Sequence, residues 1–517
     1  MAQFKKVFTP DSTVLQEPSY FTATKVVETD IPGKQLMVAG TMIAQDTGNY
    51  FRIAAYNQLS DLHGNSQALF IYEDTSQFVF QGPKAYCAAY GGNGEFYTGI
   101  GSNNKQIVYK SNSNGDLLWS RTAHHHEFYS MQWEGNSLIA MGQDESVQGA
   151  HDFSLWRLNP DGSEAGGRMY GTTGFEQPQR VELIRGSLML VGSSFQSGAF
   201  SLLVAKVDTG LNQVWGHTYT IGTKTTVGYS ILAPLDGHGY FVTGVAKGGT
   251  DSLFVMRLDD NGQQVWAKLY SIAGASESNN WSSALDPATG GIVLVGSYRT
   301  TGYLRPWGFM VDSVGAVQWS YDYGDPGVNT DETLNDVIYC NQDGYFYTVG
   351  DRVEVDSNLF LRRTFMVKFA ADSGSIPCDS IIQVTSAPTS FTMSGNTAEE
   401  PFSANAHFPI GIFISTNMMV ETQCTVLVGL VDGLPKEGLF SIVNPSSGLL
   451  DMRAEVPLGG GVLRVHSLSG AVMLERRLDE GMVREQFSLS GIAAGMYMVT
   501  LEGEGWRYPS LRWVVQR

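Results

Sequence analysis

Three adjacent histidines, His124-His125-His126, are the first place in the chain to look for a metal ion. Imidazole nitrogens ligate zinc well, but neighbouring residues of an extended chain point to opposite faces, so three in a row rarely share one ion. The stretch reads as a solvated loop, and no metal site is expected. Paired carboxylates occur at Asp259-Asp260 and Asp331-Glu332. Both pairs read as parts of turns, and nothing fixes them at the separation a glycosidase needs between its two carboxyl groups. No GxSxG, HExxH or phosphate-binding glycine loop is present. No catalytic residue is therefore assigned. What remains are side chains suited to binding, in connections that would converge on one face: His124, His126, His151, Trp281, Tyr298, Arg299, Arg305, Trp307 and Arg352. Trp and Arg are favoured at binding surfaces, and an aromatic face suits a sugar. Trp281 and Trp307 serve equally well as packing residues.

The four cysteines are Cys87, Cys340, Cys378 and Cys424, with no CxxC spacing among them. Cys87 and Cys340 fall within apolar runs and read as small buried residues. Cys378 and Cys424 both follow the last repeat. They are expected to be bridged, closing a loop of about 47 residues, which an exported protein permits. No cofactor is expected, with calcium the one ion left open.

The elements that must position these residues follow from a repeat. VMRLDDNGQQVWAKLY (Val255 to Tyr270) is an apolar strand, an Asn261-Gly262 turn and a second strand carrying Trp266 and Tyr270, which is a hairpin signature. It returns as VAKVDTGLNQVWGHTY (Val204 to Tyr219) and FMVDSVGAVQWSYDY (Phe309 to Tyr323), with a degenerate copy from Ile107 to Ser120. Each hairpin follows a strand ending in glycine: Gly40, Gly99, Gly142, Gly192, Gly244, Gly296 and Gly350, at intervals of 59, 43, 50, 52, 52 and 54 residues. Another short apolar run precedes each of those strands. Four strands per unit and seven units predict a seven-bladed β-propeller. Phe4-Lys5-Lys6-Val7-Phe8 aligns with Trp266-Ala267-Lys268-Leu269-Tyr270, and the seventh unit lacks a Trp strand of its own. Residues 3–9 are therefore expected to close the last blade, which removes a free sheet edge. The Trp and Tyr of each hairpin are expected to pack between blades.

Composition agrees. The chain has 517 residues, 59 of them glycine, and a formal net charge of -18. Length allows more than one domain. The charge makes nucleic acid and anionic membranes poor partners. No apolar run of about 18 residues offers a membrane span, and the first residues, MAQFKKVFTPDS, lack the apolar centre of a signal peptide. Ser386 to Pro401 is rich in Ser, Thr and Pro and reads as a loop or linker. The organisation is then a propeller over 1–380, a linker or β extension over 381–437, and a small antiparallel β-sandwich over 438–517.

Two resemblances refine this all-β picture. The Asp-x-x-Gly-x-x-x-Trp spacing, as in Asp259, Gly262 and Trp266, resembles the repeats of quinoprotein-like propellers. No quinone site accompanies it, so no cofactor is carried over, and both steps are one residue too long for the sialidase Asp-box. The last eighty or so residues closely resemble the type A C-terminal sorting domain of the type IX secretion system of Bacteroidetes-type bacteria. Asn444-Pro445 matches the end of its opening motif, with Gly448 close behind. Val465-His466-Ser467-Leu468-Ser469-Gly470 matches its strand and turn. Leu489 to Tyr497, with Gly495 and Tyr497, matches its Leu-x-x-Leu-x-x-Gly-x-Tyr segment, and Arg517 its basic end. Ile442-Val443 and Ile492 depart from the family, which has Tyr-Pro and Leu there.

The resemblance implies export through the periplasm and across the outer membrane, a signal peptide lost ahead of residue 3, and the type IX translocon with its outer-membrane shuttle and attachment components as partners. The sequence thus describes a secreted or cell-surface binding protein for a protein or glycan, not a nucleic-acid binder. A glycan hydrolase or lyase on the same scaffold, or an accessory part of the secretion machinery, is the alternative.

Overall fold

The computed structural model describes residues 3–425 and 440–515. Outside it lie 11–18, 46–50, 74–83, 103–104, 125–127, 146–150, 326–329, 357–358, 377–378, 402–410, 416–417, 443–448, 455–458, 468–471, 481–483, 489–492, 504–505 and 508–510, with single residues at 197, 250, 301, 396 and 494. The chain divides into two compact units, Met1–Leu427 and Val428–Arg517.

The first unit is β-propeller-like. Its described strands form seven antiparallel sheets. The first joins Ser19–Glu28, Leu36–Gln45, Phe51–Ser60 and Ser66–Glu73, and the second Lys84–Tyr90, Glu95–Ser102, Lys105–Asn112 and Leu117–His124. The third joins Phe128–Glu134, Ser137–Glu145, His151–Leu158 and Glu164–Gly171. The fourth joins Phe175–Ile184, Ser187–Gln196, Ala199–Asp208 and Gln213–Thr220, and the fifth Thr225–Leu232, Tyr240–Lys247, Ser252–Leu258 and Gln264–Ile272. The sixth joins Glu277–Leu285, Ile292–Arg299, Leu304–Val311 and Val317–Asp322. The seventh joins Asp331–Cys340, Tyr345–Asp356, Leu359–Ala370 and, as its fourth strand, Phe4–Pro10, where Phe4 lies opposite Lys368 and Phe8 opposite Thr364. The first strand of each sheet lies beside the first strand of the next, and that of the seventh lies beside that of the first.

Apolar side chains fill the spaces between sheets. Phe241, Leu253 and Val255 of the fifth pack with Leu294, Trp307 and Phe309 of the sixth. Val38 and Tyr56 of the first pack with Tyr347, Val349 and Met366 of the seventh. The hairpin turns are clamped from the neighbouring sheet. The Asp259 carboxylate accepts the N–H groups of Asn261 at 2.9 Å and Gln263 at 2.8 Å, which shapes the turn around Gly262 at φ +81°. Onto this turn the fourth sheet places Tyr219, whose hydroxyl donates to the Gly262 carbonyl at 2.7 Å, and Trp215, whose indole donates to that of Asp260 at 3.1 Å. Tyr270 on Gly315 and Tyr323 on Gly374 repeat the contact. The tyrosine rings are thus buried while their hydroxyls bond a carbonyl.

Ser386 to Pro401, which composition reads as a loop or linker, is largely strand. Ser380–Ile381 pairs with the fourth strand of the sixth sheet, Val384–Thr389 with that of the fifth, Thr392–Gly395 with that of the fourth and Ala398–Pro401 with that of the third. Beyond 402–410, Gly411–Ser415 pairs with the first sheet and Met418–Thr425 with Phe4–Pro10 in the seventh. One segment therefore passes the sheets in reverse order and adds a fifth strand to each of these six. Its composition hides this because an outermost strand is held by backbone hydrogen bonds and needs no apolar face.

In the second unit, Phe440–Ile442, Leu449–Ala454 and Arg484–Ser488 form one sheet. Val472–Glu480, Gly459–Ser467, Gly495–Gly503 and Trp506–Arg507 form another, with Leu511–Val515 against Gly495–Gly503. Leu450 and Met452 of the one share a core with Leu463, Val465, Leu478, Val499 and Val515 of the other.

Candidate functional site

The inner strands of the seven sheets share an irregularity. Pairing with the second strand skips one residue: Thr24, Tyr86, Tyr129, Gln179, Tyr229, Trp281 and Asn335, in sheet order. Each skip lies beside the glycine of the sequence repeat. At Gly296 and Gly350 a Cβ would stand 1.8 Å from the carbonyl oxygens of Asn279 and Thr333. Gly40, Gly192, Gly244, Gly296 and Gly350 therefore mark where the bulged inner strand presses its backbone onto its neighbour. A bulge also re-aims side chains, and here the skipped residue and its successor, which is back in register with the second strand, both face a cavity. Thr24-Lys25, Tyr129-Ser130, Gln179-Arg180 and Asn335-Asp336 all line one cavity of ≈ 550 Å³, with Gln177, Tyr229 and Trp281.

Charges from three sheets meet in its wall, joined by Ser282 of a fourth. Asp336 Oδ1 accepts from Lys25 Nζ at 3.1 Å, Ser282 Oγ at 2.7 Å and Arg180 Nη1 at 3.3 Å, and its Oδ2 accepts the Val26 N–H at 3.1 Å. Arg180 also reaches Ser282 Oγ at 3.0 Å and Glu182 Oε1 at 2.7 Å. Burial alone would raise the Asp336 carboxyl, but Lys25 and Arg180 outweigh it and hold the group below the ordinary carboxylate range. Opposed to this saturated network is an open aromatic surface. Trp281 is 37% exposed, and Tyr229 meets it edge-on at 5.3 Å. Its indole N–H lies 3.4 Å from Ser297 Oγ.

Of the binding residues expected from sequence, Trp281 lines the cavity. Trp307 is fully buried, stacked on Phe309 at 5.0 Å. Tyr298 and Arg305 share Asp322 Oδ2, at 2.9 and 2.5 Å. Arg352 is buried 3.7 Å from Glu332, which also holds Lys5 at 3.0 Å, and 3.5 Å from Asp325. Arg299 pairs with Glu277 at 3.5 Å. His151 packs edge-on to Phe175, with ring centres 5.0 Å apart. His124 ends its strand, with its side chain outside the described residues, and His126 lies outside them altogether.

Cys87 and Cys340 are buried free thiols, and burial pushes both up, Cys340 to about 12. Cys378 lies outside the described residues, and Cys424 is described only by its backbone, opposite Lys5. Among the sorting-motif residues, Asn444, Pro445, Gly448, Gly470 and Arg517 lie outside them too. Gly495 opens its strand, and the buried Tyr497 donates to the Ala493 carbonyl at 2.9 Å.

Lys25, Gln179, Arg180, Tyr229, Ser282 and Asp336 were not singled out from sequence. The available signal was positional: polar pairs interrupt the apolar inner run at one place in the repeat, at Thr24-Lys25, Gln179-Arg180 and Asn335-Asp336.

No protein-family model and no curated protein matches the chain. Among solved structures, Sqt1 from Chaetomium thermophilum is similar at TM-score 0.39 and 11% identity, covering 68% of this chain and 98% of its own. The NanB sialidase from Streptococcus pneumoniae is similar at 0.38 and 11%, covering 70% of each chain. A subtype N10 neuraminidase-like protein of A/little yellow-shouldered bat/Guatemala/060/2010 is similar at 0.35 and 10%, covering 71% and 100%. Likenesses this distant decide nothing about chemistry or partners.

Proposed function

We propose that the chain is a secreted or cell-surface binding protein: a seven-bladed β-propeller that holds a protein or glycan partner at its central cavity, carried out of the cell by a C-terminal type IX sorting domain folded as a small β-sandwich. The cyclic order of the inner strands supports the blade count. The observation that carries binding over catalysis is the state of the cavity's carboxylates. Hydrolysis of a glycosidic bond needs one carboxyl group able to give a proton and another free to attack or to activate water. Asp336 accepts four hydrogen bonds and is held deprotonated, and Glu182 is committed to Arg180. The exposed indole of Trp281 is open to engage a partner.

The test has two arms. Residues 430–517 fused behind a signal peptide and a fluorescent reporter should carry the reporter outside a host with type IX machinery, and removing 511–517 should leave it in the periplasm. Affinity capture from the cell-surface fraction with the full chain should recover a partner that the Trp281→Ala variant loses. A reporter held in the periplasm with the module intact refutes the export half. Turnover of a surface glycan by the purified chain refutes the binding half in favour of an enzyme.

A further inference from the structure

The binding reading above can be narrowed to a class of ligand from the chemistry of the cavity. We propose that the central cavity is a site for a short uncharged saccharide, laid against Trp281 and hydrogen-bonded by Gln177, Gln179 and Tyr229. The charges do not favour an ion. Lys25 and Arg180 face Asp336 and Glu182, two of each sign, and the ion pairs already join them. An anionic ligand would have to draw Arg180 or Lys25 away from Asp336 and leave the buried carboxylate with one cation in place of two, which is costly. A cationic ligand finds Asp336 already saturated. The chain's net charge of -18 adds a general repulsion of anions.

What the cavity does offer is neutral. Among the described residues, the side-chain amides of Gln177 and Gln179 and the hydroxyl of Tyr229 line it without a hydrogen-bond partner in the chain. Each amide both donates and accepts, as does the phenol, which matches vicinal hydroxyl groups. The Trp281 ring, held by Tyr229, supplies a flat apolar face for the C–H side of a pyranose. A volume of ≈ 550 Å³ lies within the range of about 300–1,000 Å³ typical of small-molecule sites.

Calorimetric titration of the full chain tests this with maltotriose, cellotriose, mannotriose and chitotriose, against trigalacturonate and 3′-sialyllactose as acidic counterparts. At least one neutral trisaccharide should bind, and the acidic pair should bind about tenfold more weakly or not at all. Trp281→Ala should weaken binding by about tenfold or more and Gln179→Ala by several-fold. Trp281→Phe, which keeps an aromatic face, should lie between wild type and Trp281→Ala, with thermal melts confirming that each variant folds. Acidic saccharides binding as tightly as neutral ones, no effect of Trp281→Ala, or no binding by any neutral member overturns the proposal. If no saccharide binds while affinity capture still recovers a Trp281-dependent protein partner, the saccharide falls and the binding function stands.

Discussion

The same sheets end in two ways. At the outer edge of six of them, the exposed N–H and C=O groups of the fourth strand are paired by a strand from 380–425. At the inner edge, pairing is broken: each first strand bulges beside a glycine, and six of the seven skipped residues line a cavity. An unpaired strand edge is a liability that proteins usually cover. Here the covering is confined to the periphery, and the uncovered edges are turned inward and given charged and aromatic side chains. The difference separates the edges that hold the sheets together from the edges that line the cavity.

The largest effect is expected where the outer strand also closes the ring. Deleting residues 1–9 removes Val7 and Phe8, both fully buried, and the Lys5 partner of buried Glu332. Two large apolar side chains are worth roughly 1.5–3 kcal/mol each, and breaking a buried ion pair about 3–5 kcal/mol. Together these approach the whole stability of a typical domain, about 5–15 kcal/mol. The shortened chain should lose cooperative thermal unfolding, and a melt resembling that of the full chain would show that the inner contacts suffice.

Next comes the inner edge. Asp336→Ala leaves Lys25 and Arg180 facing each other in the cavity wall and should cost about 3–5 kcal/mol in urea unfolding. Lys25→Met in the same background should recover part of it, because it removes one uncompensated charge. A loss under 1 kcal/mol would mean that the network behaves like an exposed surface pair.

A pH-dependent effect belongs to Asp351. Burial raises its carboxyl to about 7, although it accepts the Ala23 N–H at 2.8 Å and the Asn335 amide at 3.0 Å. The folded state therefore keeps a proton that the unfolded chain, with an ordinary carboxyl, has already released. Stability from this group is full below about pH 4 and is lost as pH rises to about 7, by at most about 1.4 kcal/mol per pH unit. Asp351→Asn should flatten that decline between about pH 4 and 7. An unchanged slope would place the titration elsewhere.

The smallest effect tests the clamp between sheets. Tyr270→Phe removes the bond to the Gly315 carbonyl and keeps the ring, so it should cost about 0.5–1.5 kcal/mol. A larger loss would show that the hydroxyl, more than the buried ring, fixes the turn.

The repeated Trp, Tyr and Gly were legible in the sequence because each does the same job at the same interval. Trp266 and Gly262 sit on a hairpin whose two strands are contiguous in the chain. The bulges were not legible, since a skipped residue is a property of pairing and Tyr229 or Trp281 looks like any strand aromatic. Nor was the charge network, whose Lys25 and Asp336 are 311 residues apart. Arg305 and Arg352 were legible as unusual basic residues, but a single chain does not announce the Asp322 and Glu332 that occupy them. The peripheral strands escaped for another reason. Val384–Thr389 is mostly exposed and leans on Gln264–Ile272 through its backbone, so it has no alternation to display.

That peripheral segment also sets how the first unit responds to mechanical load. Because its strands meet the sheets in reverse chain order, tension applied beyond Thr425 falls first on Met418–Thr425 alone, then on Gly411–Ser415, and reaches Ser380–Ile381 last. The strands peel singly, as a zipper opens, and the load at any moment is that of one short ladder. A tug on the C-terminal side is therefore absorbed as a series of small, separable ruptures before the four-stranded sheets and their central cavity bear it.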